Sequence, residues 1–369
     1  MKVSKPEIST RRLQKLFEKM IDIYSPSGKE EEILDYLYGY LKRHRLTVEK
    51  QHFDDNRHNL IVARNPENID LALLGHIDTV VAYDFEKYGY EEENGTIYGL
   101  GSADMKGGCA AMIEAFLSIM EKTDEEIPVA LALVVGEEED GDGAEALVKE
   151  YDFPWALIGE PTNLVPCLDC YGYLETNIVA KGKRMHASMA KPGANPIEAI
   201  LRLISGIFQH IETNRPEIVF NIRDMFSSQA GFFVPDHCES WLDFHFPPTY
   251  PIGEIMAEME EILDTREKNF SNIEVAVKFN TVDAGYVLPE KGPLVETIQK
   301  VFADRSIEWV SDSFRSHSDA NRLWEAGVRP ILLGPGQLEM AHSPEECIRF
   351  DEVQKAAEIY RDIIFSFPH

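Results

Sequence analysis

Cationic side chains are scarce in this 369-residue chain: Lys and Arg number 36 against 64 Asp and Glu, a formal net charge of −28. Such a surface repels phosphate backbones and anionic lipid, so neither nucleic acid nor membrane is an expected partner. Long apolar runs are also missing. Clean runs such as Val129 to Val135 suit a buried strand and fall far short of the ~18–20 residues of a spanning helix. The leading Met1-Lys2-Val3-Ser4-Lys5-Pro6-Glu7 lacks the apolar core of a secretory signal. Cysteines number five, an odd count with no paired framework, which favours a reducing cytoplasm. Cys167-Leu168-Asp169-Cys170 has a zinc-knuckle spacing but no second pair to complete four ligands. There is no internal repeat and no low-complexity segment.

What is present is material for two domains: 369 residues, 44% of them hydrophobic. Leu13, Leu16, Phe17, Met20, Ile21 and Tyr24 fall at helical spacing. Ser25-Pro26-Ser27-Gly28 breaks that helix, and Ser27 with Glu30 reads as a capping box opening a second one through Leu41. Strands are expected at 60–64, 71–74, 129–135 and 155–158, with helices at 109–120 and 144–150 between them. Continuous apolar strands alternating with helices predict an α/β fold, a mixed, mostly parallel sheet covered on both faces. From 172 to 284 the order becomes β-α-β-β-α-β, which predicts an inserted α+β, ferredoxin-like domain. The α/β pattern resumes at 285, with helices at 294–302, 320–326 and 351–364 and strands at 306–310 and 330–333. The expected domains are therefore 1–171 with 285–369, and 172–284 inserted.

Open α/β sheets collect ligands beyond the carboxyl ends of their strands. Leu71 to Leu74 runs into Gly75-His76-Ile77-Asp78, and Asp78, two positions on, is placed to accept the second ring N–H of His76. Glu137-Glu138-Glu139-Asp140 follows the run to Val135, an expensive gathering of acids without a cation. Glu160 follows Trp155 to Ile158, His342 lies in the loop after Ile331 to Leu333, and Asp104 precedes Gly107-Gly108. Each alone fits an ordinary turn or surface residue. Together, two imidazoles, three metal-ready carboxylates and a spare glutamate are what a dinuclear metal hydrolase needs.

The runs His76-Ile77-Asp78-Thr79-Val80, Gly99-Leu100-Gly101-Ser102-Ala103-Asp104-Met105-Lys106-Gly107-Gly108, Gly136-Glu137-Glu138, Gly159-Glu160-Pro161-Thr162 and Ala341-His342 occur in that order. They resemble the zinc amidohydrolase and metallopeptidase family that contains acetylornithine deacetylase, succinyl-diaminopimelate desuccinylase and glutamate carboxypeptidase. The resemblance implies a zinc-peptidase-like catalytic domain with an inserted lid and dimerisation domain. It implies two Zn²⁺ ions, with Co²⁺ or Mn²⁺ as substitutes: His76 and Glu160 on one, Glu138 and His342 on the other, Asp104 between them. Glu137 is then the general base and Asp78 the partner of His76. His186, in Gly182-Lys183-Arg184-Met185-His186-Ala187-Ser188, matches a lid histidine that reaches across a homodimer to the oxyanion.

The expected reaction is hydrolysis of the amide bond of a small N-acyl amino acid. A dipeptidase or carboxypeptidase with the same metals is the alternative, and an inactive binding protein the rival from outside enzymology. The chain departs from the family in its lid. Asp243-Phe244-His245-Phe246-Pro247-Pro248 has His245 where many relatives carry a carboxylate-binding arginine, exchanging a fixed charge for a mostly neutral ring. Gly231-Phe232-Phe233-Val234-Pro235 lacks the usual asparagine, and Arg315-Ser316-His317-Ser318-Asp319 replaces a glycine-rich loop. Arg315 or His317 is placed to supply what His245 lacks.

Overall fold

Strands with no polar alternation form the frame of the first of two compact units. The computed structural model describes residues 5–54, 57–123, 125–229, 231–267, 270 and 272–368, so Met1 to Ser4 of the leader reading lie outside it. The first unit comprises Met1–Asp169, Leu288–Phe314 and Ser318–His369; the second comprises Cys170–Val287 with Arg315–His317.

In the first unit the sheet runs Glu49–His52, His58–Val62, Val129–Val134, Leu71–His76, Trp155–Ile158, Arg329–Leu332 and Cys167–Cys170. Val129–Val134, Leu71–His76, Trp155–Ile158 and Arg329–Leu332 are mutually parallel. The first three of these are buried along their whole length, which is why they read as unbroken apolar runs. Both strands on the Glu49 side pair antiparallel. Helix Gly107–Met120 is buried at every position, as its small and apolar residues on all sides require, and packs against Phe350–Ser366 and Thr10–Asp22.

Two local expectations are corrected. Helix Glu31–Arg43 begins without a side-chain cap, so Ser27 and Glu30 form no capping box. The Ser27 hydroxyl donates instead to Asp78, and Glu30 accepts from the Gly28 N–H and from Arg57. No strand forms at 306–310. Its side chains find no buried face, and the short strand there is Asp312–Phe314.

The second unit has the β-α-β-β-α-β order. Its antiparallel sheet runs Val219–Ser227, His237–Phe246, Gly172–Lys181, Glu274–Asp283. Helices Pro196–Asn214 and Ile252–Glu267 supply Ile200, Leu203, Ile204, Ile207 and Ile255 to a core with Leu174, Ile178, Leu242 and Phe244. The first helix starts at a proline behind Asn195, whose side chain accepts the Ile197 N–H at 2.9 Å. Among the described residues no helix is long and apolar enough to cross a membrane.

Candidate metal centre

The parallel strands end side by side, and their carboxyl ends deliver the acids and imidazoles of the first unit. His76 closes Leu71–His76, in register with Val134 on one side, while Leu74 is in register with Ile158 on the other. Glu137 and Glu138 therefore leave beside it after Gly136, and Glu160 after Gly159. Gly136 adopts φ +82°, turning the chain at once into the acidic loop. Gly108 and Gly334 both lie against the Gly159 carbonyl so closely that a Cβ at either would collide with it. That approach lets the helix carrying the Asp104 turn and the loop leading to His342 converge on Glu160.

Asp104 stands between the imidazoles. Its Oδ1 is 3.3 Å from His76 Nε2 and its Oδ2 is 3.5 Å from His342 Nε2. Glu138 Oε2 is 2.9 Å from His342 Nε2, and Glu137 Oε2 is 3.8 Å from His76 Nε2. Donor atoms of His76, Asp104 and Glu160 lie within 4.8 Å of one another, and so do those of Asp104, Glu138 and His342. The two sets share only Asp104. His76, Glu137 and Glu138 form a third such group.

The sequence profile of "Peptidase family M20/M25/M40" matches residues 72–366, a span that holds all of these groups. The chain belongs to this family. The succinyl-diaminopimelate desuccinylase of Corynebacterium glutamicum is 27% identical to it over 371 residues, 95% of each chain. Among solved structures, a Staphylococcus aureus tripeptidase superposes with a TM-score of 0.76 at 20% identity, over 97% of this chain and 98% of that one. A dinuclear metal-binding peptidase of the M20 family from Bacillus subtilis gives 0.68 at 13% identity, over 96% and 97%. This M20 protein is accordingly an amide-bond hydrolase with the α/β fold of the M20 metallopeptidases.

M20 enzymes are metal-dependent, and the donor set fits a cation. Four carboxylates, Asp104, Glu137, Glu138 and Glu160, converge on two imidazoles, and all of these groups except His342 are largely buried. Glu160 Oε1 is buried with no hydrogen-bond partner among the described residues. Burial, reinforced by neighbouring acids, holds the Glu137 and Glu160 carboxyls well above the usual range and raises Glu138 as well. Burial opposes charging His76 and His342, but the acids around them prevail: His76 is raised well above its ordinary value and His342 to about 9. Protons here gather where a cation would relieve the same repulsion.

Asp78 is fully buried and serves as a hub. Its carboxylate accepts from Ser27 Oγ at 2.6 Å, Glu138 N at 3.2 Å and Glu137 N at 3.4 Å. The ring of His76 turns Nδ1 toward the Asp78 carbonyl at 3.1 Å, with the carboxylate at 3.6 Å. His186 lies in the second unit, exposed, and is not one of the clustered donors; its Nδ1 accepts the Ser188 N–H at 3.3 Å. In the same unit the Tyr173 ring stacks on His317 at 4.0 Å and meets His245 at 5.1 Å, while Arg315 is exposed. Burial lowers the His245 imidazole, keeping it neutral.

Among the buried acids of the first unit that escaped the sequence reading are Asp319 and Glu346. Asp319, 2% exposed, has neither carboxylate oxygen hydrogen-bonded among the described residues, and burial raises it to about 7. Glu346 accepts backbone N–H groups from the Asp104 turn. Neither follows a strand end, as Glu137, Glu138 and Glu160 do, or precedes a glycine pair, as Asp104 does.

Proposed function

We propose that this M20 hydrolase uses two zinc ions to cleave the amide bond of a small N-acyl amino acid. The observation that carries the reading is the pair of donor sets joined by Asp104. His76 and Glu160 would hold one ion and Glu138 and His342 the other, with Asp104 common to both sets. When bound, the two ions polarise the scissile carbonyl and make a water acidic enough to attack at neutral pH.

The chain's own groups do the rest. Glu137, buried beside His76 but outside both sets that share Asp104, takes the water's proton. It passes that proton to the leaving nitrogen, because an amine departs far more readily than an amide anion. Asp78 fixes Glu137 and Glu138 through their backbone N–H groups. His186, with Nδ1 already accepting, presents an Nε2 donor for the oxyanion of a partner copy. Support for pairing comes from Val219–Ser227, a nine-residue edge strand exposing Val219, Ile222, Met225 and Phe226. The neutral His245 weakens selection for a second substrate carboxylate, so dipeptides stay in consideration beside N-acyl amino acids.

The test is zinc content of the purified chain together with amine release from acetyl-amino acids, succinyl-amino acids and dipeptides. Two ions per chain with chelator-sensitive deacylation supports the reading. Preference for dipeptides moves it to the peptidase branch, and no metal or turnover after zinc addition removes it.

A further inference from the structure

The carboxylate of Glu346, 4% exposed, takes three backbone N–H groups from a single turn. Gly101 N donates to Oε2 at 2.9 Å; Ala103 N and Asp104 N donate to Oε1 at 2.9 and 3.0 Å. The turn is the one that carries Asp104, and one of the three donors is the amide of Asp104 itself. On its other side Glu346 belongs to the His342 segment: its N–H returns to the Ser343 carbonyl at 3.2 Å, and its carbonyl accepts Gly99 N at 3.2 Å. The next residues, Cys347–Arg349, pair antiparallel with Thr96–Tyr98. A single side chain thus ties the loop of the shared ligand to the loop of a terminal ligand.

Glu346 is suited to this by chemistry as well as place. Three N–H donors converge on its two oxygens, and a carboxyl group, with an acceptor on either side, can satisfy all three. A glutamine of the same size turns an NH₂ group toward at least one N–H. The His76 and Glu160 donors, by contrast, sit on strand ends fixed by the sheet and receive none of these bonds. His342 is half exposed, at 51%, on a loop with no such ladder. Asp104 is common to both sets, and the set that also depends on the His342 loop is the one Glu346 braces at two points.

We infer that Glu346 is a positioning residue for the Asp104–Glu138–His342 metal set, holding Asp104 and His342 in the arrangement that binds the second ion. The inference rests on the dinuclear reading above. Because Asp104 also belongs to the His76–Glu160 set, both ions feel the loss of Glu346, the second more than the first because His342 rests on the braced loop as well.

The experiment is calorimetric titration of Zn²⁺ into the chelator-stripped full-length chain, wild type beside Glu346→Gln, with thermal midpoints of both metal-free proteins. Expected is a second zinc weakened by about 10–100-fold, the usual range for groups that orient a ligand, and a first weakened measurably less. At limiting zinc kcat falls while KM changes little. Should Glu346→Gln fail to fold, Glu346→Asp, one methylene shorter, gives the same readout. Equal weakening of both ions, or a lowered midpoint with both affinities intact, marks a merely structural residue and overturns the inference. A wild-type chain that binds no zinc fails differently, removing the metal reading and this inference with it.

Discussion

The hydroxyl of Ser27 donates to Asp78 Oδ2 at 2.6 Å across 51 positions of sequence, tying the turn between the first two helices to the end of a central strand. The same carboxylate oxygen accepts the Glu138 N–H at 3.2 Å. Ser27→Ala leaves Asp78 with one fewer donor in a buried site and loosens the acidic loop it anchors. Turnover should fall by about 10–100-fold, as for other groups that orient a ligand. Helix Glu31–Arg43, which does not use Ser27 as a cap, should keep its stability. A fall in helix stability with unchanged kcat would return Ser27 to the capping role.

Glu137 should separate metal binding from chemistry. Its carboxylate lies 3.8 Å from His76 Nε2 and is buried, raised in affinity for protons by burial and by Glu160 and Glu138. Glu137→Gln preserves shape but cannot take a proton. Zinc content should match wild type while kcat drops by about 10²–10⁴-fold, the contribution of a positioned base. Near-normal turnover would remove Glu137 from the mechanism; loss of metal would place it among the ligands.

The strand ends were legible because a buried parallel strand is apolar along its length, so the first His or acid at its close marks where the sheet stops. His76, Glu137, Glu138 and Glu160 all lie at such points, and the structure brings them together with Asp104 and His342. Ser27 and Glu30 misled because a capping box is a purely local pattern. Spacing in sequence cannot show that Asp78 and Arg57, far along the chain, compete for the same side chains. The run at 306–310 misled for a related reason: a strand needs a face to bury, and none of these five residues is buried. Glu346 had no signal at all: its partners are amides, which every residue carries. Asp319 shows the same limit, its burial being a property of the assembled fold.

Acid should weaken the fold in part through His58. Burial pushes its imidazole down to about 4 from the ordinary 6.5, so the folded chain keeps it neutral where the unfolded chain is already protonated. The unfolded state then binds more protons below pH 6.5, and stability falls as the pH drops from 6.5 toward 4. His58→Phe removes that proton uptake. Urea midpoints measured across this window should decline less steeply in the variant; parallel slopes would show that His58 does not contribute.

His186 offers the sharpest test of assembly. Its ring is exposed, with Nδ1 accepting from Ser188, which leaves Nε2 to donate. His186→Ala should lower kcat by about 10²–10³-fold, the cost of removing an oxyanion donor, with zinc content unchanged. Because the proposed donor comes from a partner copy, two inactive variants should repair each other. In a mixed dimer of Glu137→Gln and His186→Ala, one site combines an intact Glu137 from one chain with an intact His186 from the other. Mixing the purified variants under conditions that let subunits exchange should therefore restore turnover that neither shows alone. If His186 served its own chain, every site in the mixture would still lack one group, and activity would stay at the level of the separate variants.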